Sequence, residues 1–181
     1  SQGVRGESTG RGTGMMDGRH ISMAADATAL IVNSTAWRAG EREAAEIWFK
    51  DFFDWMLKSD LGKEESESKN NHGSHYDAQM VRWALHIGKV DVAKEFLEGV
   101  KVKRIPLQIE PDGKQPLELA RTNSLTYSQF NIKALTSLAI MGEYVGVDLW
   151  NYKTKDGRCI AVALDYILPY IDFPRKAWPY K

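Results

Sequence analysis

The segment around which this chain is built is Lys69-Asn70-Asn71-His72-Gly73-Ser74-His75-Tyr76-Asp77-Ala78-Gln79. It contains two of the chain's four histidines, two adjacent amides, a carboxylate and a phenol. An apolar helical pattern follows it directly, which places the segment at the entrance to a helix. Packing alone does not require such a cluster, because each of these side chains needs a hydrogen-bond partner when it is buried. We therefore expect the segment to form the floor of a functional site.

On either side of this segment, apolar residues recur at three- and four-residue steps, which is the spacing of amphipathic helices. The pattern predicts six helices, at about 19–37, 41–58, 75–87, 91–100, 124–142 and 158–170. The sequence lacks a convincing alternating strand pattern, so the predicted fold class is all-α, built from stacked helical hairpins. Residues 63–69 are predicted to form a charged surface turn, and residues 103–119 a long loop.

The first helix of each predicted hairpin follows a polar segment, and these segments are 10–20, 69–77 and 118–127. Stacked hairpins would bring all three segments to one end of the molecule. Helix N-termini there would present free N–H groups and positive dipole ends, which favour an anionic group. We therefore predict a site for a negatively charged ligand at that end.

Length and composition indicate an ordinary globular protein, with 181 residues, 43% hydrophobic and 27% charged. We predict a glycine-rich loop over 1–18, one helical domain over 19–172 and a non-helical tail over 173–181. Lys+Arg and Asp+Glu number 24 each, and this balance argues against a general nucleic-acid binder. No apolar run is long enough to cross a membrane, and the start does not resemble a signal peptide, so any targeting segment is expected upstream or removed.

The apolar faces of the first two helices are predicted to be core. On the first helix the inner face comprises Ile21, Ala24, Ala25, Thr28, Leu30 and Ile31. On the second it is an aromatic stripe of Ala44, Ile47, Trp48, Phe52, Trp55 and Met56, which we interpret as core and not as a binding platform. The single Cys159 excludes an internal disulfide and a thiolate-rich zinc site, and we expect it to be a core residue.

Three kinds of chemistry fit the polar residues. His72, His75 and Asp77 could ligate a metal, but they lack the paired helical spacing and a third histidine. Asp77, Glu110 and Glu118 could act as hydrolytic carboxylates, although loop acids are usually solvated. Hydrolysis by a nucleophile–base pair, Ser74 beside His75, is the weaker form of this second kind, because the usual elbow motif around the serine is missing.

The third kind of chemistry is proton removal next to a carboxylate, for which Asn71, His72, Arg121 and Tyr127 are suitable. Arg and Asn donating to the carboxylate would stabilise an enolate-like intermediate. A phenol or imidazole near that positive cluster could act as base. The reaction class would be β-elimination on a uronic acid. The purely structural interpretation stays open at this point: Asn71 caps a helix, His72 fills a polar gap and Tyr127 is core.

Several motifs resemble a known family. Residues 70–79 resemble the Asn-Asn-His signature of the alginate lyase superfamily, which comprises polysaccharide lyase family five and its relatives. Residues 118–128 resemble its second signature, in which an Arg precedes a helix-borne Tyr. Residues 146–150, 156–158 and 163–166 resemble the end of that domain. The residues after Asn-Asn-His and the Arg-to-Tyr spacing differ from family five, which indicates a divergent branch that could act on another uronan.

The resemblance implies a partial (α/α) toroid, of which this chain would be the C-terminal half, with the N-terminal half as a possible partner. It implies a secreted or periplasmic polysaccharide lyase that cleaves 4-linked uronic-acid polysaccharides, chiefly mannuronate-rich alginate, by β-elimination without a metal or cofactor. Asn71, His72 and Arg121 would neutralise the uronate carboxylate, and Tyr127 would be catalytic base and acid, with His72 as the other candidate base. The predicted substrate-binding residues are Arg19, Asn70, His75 and Tyr76. The alternative is a non-catalytic uronan-binding protein of the same fold.

Overall fold

The structure is a computed structural model that describes residues 3, 6, 8, 10–171 and 177–180. After a 3-10 helix at Gly12–Asp17, its helices are α1 (Gly18–Leu30), α2 (Glu41–Lys58), α3 (Asp60–Ser66), α4 (Asn71–His86), α5 (Val90–Lys103), α6 (Ile105–Gln108), α7 (Pro116–Leu119), α8 (Ser124–Val145) and α9 (Ile160–Ile171). The described residues form no β-strand, and the predicted all-α class is confirmed.

Helix boundaries follow local capping chemistry. Helix α2 has the predicted bounds, and it follows Gly40, whose φ of 80° lies in the left-handed region that glycine adopts readily. Helix α4 begins at Asn71, one turn earlier than predicted, because the Asn70 side chain accepts a hydrogen bond from the His72 N–H at 3.2 Å. The polar segment is therefore the first turn of α4 and not a loop before it.

Some predicted loops contain helices. Most of the predicted surface turn belongs to α3, whose N-terminus is capped by the Ser59 hydroxyl accepting from the Gly62 N–H. The predicted long loop contains α6 and α7, and the predicted glycine-rich loop contains the 3-10 helix. Residues 177–180 are non-helical as predicted, and residues 172–176 and 181 lie outside the described residues.

Helix α4 is the centre of the core and contacts α1, α2, α3, α5 and α8. Its fully buried side chains include Met80, Trp83 and Ala84. Helix α5 pairs with α4, and α9 pairs with α8, as the predicted hairpins require. The first predicted hairpin is different, because α1 packs on α4 and α2 packs on α3 and α4.

The predicted inner faces of α1 and α2 are only partly correct. The buried face of α2 is formed by Phe49, Phe53 and Met56, while Trp48 and Trp55 are 48% and 40% exposed. The interpretation of the whole aromatic stripe as core is therefore wrong. On α1 only Ala25 of the predicted face is buried, and Leu30, Ile31 and Ile21 are exposed. We call the exposed apolar side chains of α1, its C-cap residue and α2 the apolar face; they are Ile21, Met23, Leu30, Ile31, Ile47, Trp48 and Trp55.

A buried ion pair fixes the start of α4 to its neighbours. Arg104 donates to both carboxylate oxygens of Asp77, at 2.7 and 3.0 Å, and to the backbone carbonyls of Ser66 and Ser68. A side chain at Gly73 would overlap the Arg104 guanidinium and the Ser68 carbonyl, so the glycine permits this close approach. The ion pair thereby holds α3, α4 and the end of α5 in one arrangement.

Among the helices of the described residues, none combines the length and apolar composition that crossing a bilayer requires.

Candidate active site

The N-terminus of α4 is held by a buried carboxylate from α7. Glu118 accepts two hydrogen bonds from Asn71, one from its backbone N–H and one from its side-chain Nδ2, both at 2.7 Å. Both residues are 1% exposed. The second and third polar segments therefore meet, as predicted, although 47 residues separate the two partners in the sequence.

His72 and Arg121 both lie close to this contact, because His72 follows Asn71 directly and the Arg121 backbone N–H donates to the Glu118 carbonyl at 3.1 Å. Burial raises the pKa of Glu118, whereas the two hydrogen bonds from Asn71 and, to a smaller extent, the nearby Arg121 and His72 lower it. Sequence reasoning considered Glu118 only as a hydrolytic acid in a solvated loop, and the structure corrects this. Its position at the start of the third polar segment was the only signal of its role.

Arg121 and Tyr127 form a stacked pair beside Glu118. The guanidinium carbon of Arg121 lies 4.0 Å from the centroid of the Tyr127 ring, within the range of a cation–π contact. Tyr127 lies in the first turn of α8, and both side chains are half-buried. A guanidinium and a phenol are thus presented together at the edge of the site.

His72 is oriented by a carboxylate from α3. Its Nδ1 lies 2.6 Å from Oε1 of Glu65, which is 1% exposed, while the His72 side chain is 21% exposed. The imidazole therefore has one end in a buried contact and remains partly accessible.

One turn further along α4 and α8 lies a cleft of about 270 Å³, which we call the cationic cleft. Its charged and aromatic lining comprises Arg19, His75, Arg82, Phe130 and Lys133. The Arg19 guanidinium lies 5.0 Å from the Phe130 ring centroid. The first polar segment thus reaches the neighbourhood of the other two through Arg19.

His75 is part of the wall of this cleft. Its Nε2 hydrogen-bonds the Phe130 carbonyl at 3.1 Å, and the two rings stack with centroids 3.9 Å apart. Burial lowers the pKa of His75 to about 4, against the smaller raising effect of the hydrogen bond to Phe130. His75 is consequently neutral at physiological pH and carries no charge toward an anion.

Two other predicted site residues have structural roles. Tyr76 is 2% exposed, and its hydroxyl donates to the Met56 carbonyl at 3.0 Å. Burial also raises the pKa of Tyr76, and its predicted role in substrate binding stays a prediction that this buried contact does not support. Asn70 caps α4, and its carbonyl accepts from the Gln108 side chain at 3.0 Å. Asn71 is also less available than predicted, because its Nδ2 already donates to Glu118.

The alternative chemistries do not assemble. His72, His75 and Asp77 bind Glu65, Phe130 and Arg104 respectively, so they do not converge on a common point. The Ser74 hydroxyl donates to Gln108 at 2.7 Å in the interior.

Two of the three acids considered for hydrolysis also have other partners. Asp77 is paired with Arg104, and Glu118 accepts hydrogen bonds from Asn71. These two carboxylates are therefore not available together as a hydrolytic acid and base. Cys159 is a buried free thiol, as predicted.

Comparisons with known proteins agree with this geometry. A family model described as alginate lyase matches residues 1–178. The crystal structure of an alginate lyase from Bacteroides ovatus superposes with a TM-score of 0.90 at 39% sequence identity, covering 98% of this chain and 47% of that one. The chain therefore spans about half the length of this relative, and no curated protein shows significant similarity. These matches establish that the chain belongs to the alginate lyase family.

Proposed function

We propose that this chain carries the catalytic centre of a polysaccharide lyase that cleaves a 4-linked uronic-acid polysaccharide of the alginate type. The observation that carries the proposal is the meeting of two segments far apart in the sequence: the Asn71–Glu118 hydrogen bonds bring the segment of His72 to that of Arg121, which stacks on Tyr127. Family membership supports the same reaction class.

The reaction we propose is β-elimination. A base removes the proton at C5 of the uronate, the C–H electron pair becomes a C4–C5 double bond, and the C4–O4 bond breaks. The Arg121 guanidinium would stabilise the charge that builds on the carboxylate as C5 loses its proton. Tyr127 and His72 would carry out the two proton transfers: one of them removes the proton from C5, and the other donates a proton to O4.

The cationic cleft supports an acidic polymer as substrate. Arg19, Arg82 and Lys133 line it one helical turn from the proposed reaction centre. Arg82 is partly neutralised by Asp26, because its Nε lies 3.4 Å from Oδ2 of that carboxylate. Arg19 and Lys133 are therefore the main positive groups of the cleft. We propose that they bind carboxylates of neighbouring uronate units.

We propose that the elimination needs no metal or cofactor, because Arg121 can supply the positive charge for the uronate carboxylate. Activity should then be unchanged by a chelator. Loss of activity on chelation, restored by an added divalent cation, would contradict this part of the proposal.

The apolar face of α1 and α2 supports a partner for this chain. The Bacteroides ovatus relative is about twice as long, and we propose that a further helical unit of such a domain covers this face. When this helical unit is present, the fluorescence of Trp48 and Trp55 should shift to shorter wavelength, and unchanged emission would refute the contact. A secreted or periplasmic location is proposed from the family alone.

The test of the lyase proposal is incubation with polymannuronate, polyguluronate and glucuronan while following the near-ultraviolet absorbance of an unsaturated product. We expect product from at least one uronan, and its loss in Tyr127→Phe with binding retained. Tyr144→Phe is the matched control, because Tyr144 lies on the same helix and is 82% exposed. Binding of uronans without product from any of them would favour the non-catalytic alternative.

A further inference from the structure

We propose that Glu65 is a positioning residue that holds His72 in the tautomer with a bare Nε2, and that this nitrogen is the base of the reaction. The inference rests on the proposed lyase function and deepens it, because it assigns the two proton-transfer roles that the site geometry leaves open. It depends on the hydrogen bond between α3 and the first turn of α4.

The hydrogen bond itself limits the protonation of the imidazole. The Glu65 Oε1 to His72 Nδ1 distance is 2.6 Å, which is short for a nitrogen–oxygen hydrogen bond and typical of a charge-assisted one. An ionised carboxylate only accepts hydrogen bonds, so Nδ1 carries the hydrogen and donates it. In a neutral imidazole the other nitrogen then has a free lone pair.

The surroundings leave that second nitrogen free. Among the residues that the structure describes, no group hydrogen-bonds Nε2 of His72, and the side chain is 21% exposed. The Nδ1 end points instead to a carboxylate that is 1% exposed. One end of the ring is thus bound in the interior, and the other is available to a ligand.

Glu65 itself has no evident structural reason to be buried. Its second oxygen, Oε2, is buried without a hydrogen-bond partner among the described residues. Burying a carboxylate with half of its acceptors unsatisfied costs stability, so its position calls for an explanation, and orienting His72 supplies one. The neighbouring Glu64 shows the ordinary alternative, because it is exposed and accepts from the Gly12 N–H at 3.2 Å.

With these roles the proton balance of the elimination closes. Nε2 of His72 takes the C5 proton and becomes part of an imidazolium that the Glu65 carboxylate stabilises. The C–H electron pair forms the C4–C5 double bond as the C4–O4 bond breaks, and the Tyr127 hydroxyl gives its proton to O4. A net transfer of one proton from His72 to Tyr127, directly or through water, restores both groups.

The first test is nitrogen NMR of the histidine side chains in the isotope-labelled protein, with His72 assigned by its loss in His72→Gln. The chain has only four histidines, so their signals can be separated. We expect a protonated Nδ1 and an unprotonated Nε2 at neutral pH, and a tautomer mixture in Glu65→Gln. A protonated Nε2 in the wild type, alone or in an imidazolium, would overturn the inference.

The second test is kinetic. Glu65→Gln should lower kcat by about 100-fold with little change in KM, because the orientation of a base contributes on this scale. Glu65→Asp should recover part of the loss, and it remains informative where the glutamine variant folds poorly. Glu67→Gln, which removes an exposed charge close to the end of α3, is the control and should be unchanged. Unchanged kcat in folded Glu65→Gln would refute the role of Glu65. Absence of wild-type activity on every uronan would instead refute the lyase proposal, and the NMR test of Glu65 would still be valid.

Discussion

The buried His75 predicts how the stability of the protein depends on pH. The pKa of His75 is lowered from 6.5 to about 4, chiefly by burial between α4 and α8. Between these two values the unfolded chain binds a proton that the folded chain does not bind. Stability therefore falls as the pH falls through this window, and the contribution is lost fully only below the folded pKa.

The size of this effect follows from the two pKa values. Integrating the difference in bound protons from pH 7 to pH 4 gives a loss of about 3 kcal/mol in the free energy of unfolding. Other groups titrate in the same range; for example, burial raises the pKa of Asp77 and of Glu118. The comparison must therefore be made with a variant that removes only the imidazole.

The variant is His75→Gln, whose amide can still donate to the Phe130 carbonyl. Urea unfolding at pH 7 and pH 4 should show that the wild type loses about 3 kcal/mol more than this variant between the two conditions. His20→Gln, which removes an exposed imidazole, should follow the wild type. Equal losses in His75→Gln and the wild type would refute the burial of a neutral imidazole at this position.

Three further substitutions test the contacts that support the site. Glu118→Ala leaves two buried donors of Asn71 unpaired and should destabilise the fold by about 3 kcal/mol in urea titrations, whereas an unchanged midpoint would exclude this bond network. Asp77→Asn breaks the buried pair with Arg104 and should cost about 3–5 kcal/mol, while the exposed Asp112→Asn should hardly change the midpoint. Gly73→Ala forces a methyl group against the Arg104 guanidinium and should lower Tm; an equal or higher Tm would contradict the tight packing there.

Helical periodicity was sufficient to predict the class and several helices of this fold. The bounds of α2 and the start of α8 follow directly from apolar spacing and flanking residues. Periodicity failed for the inner faces of α1 and α2, because a sequence pattern shows that an apolar face exists but not what covers it. Trp48 and Trp55 are apolar by pattern and exposed in the structure.

The candidate site was predictable in its reactive members and not in its supporting ones. His72, Arg121 and Tyr127 were proposed from their chemistry and motif positions, and in the structure the two segments that carry them meet through the Asn71–Glu118 contact. The partners Glu118 and Glu65 were missed, because a carboxylate in a charged segment is usually solvated. Only the tertiary contacts of α7 and α3 with α4 show that both acids are buried.

The burial of Tyr76 was not predictable for a related reason. It lies one turn after His72 on the same face of α4, but its ring is buried and its hydroxyl donates to the Met56 carbonyl of α2. Since α4 starts one turn earlier than predicted, the direction of every side chain in the segment differs from that of a loop.

The proposed β-elimination is tested most directly by weighing the products of a single cleavage. An oligomannuronate of defined length, or the uronan that gives the strongest response, is digested to low conversion and both fragments are measured by mass spectrometry. Elimination predicts that the two fragment masses add up to the mass of the substrate, with the unsaturated sugar on one fragment. A sum larger by one water would show hydrolysis and contradict the account.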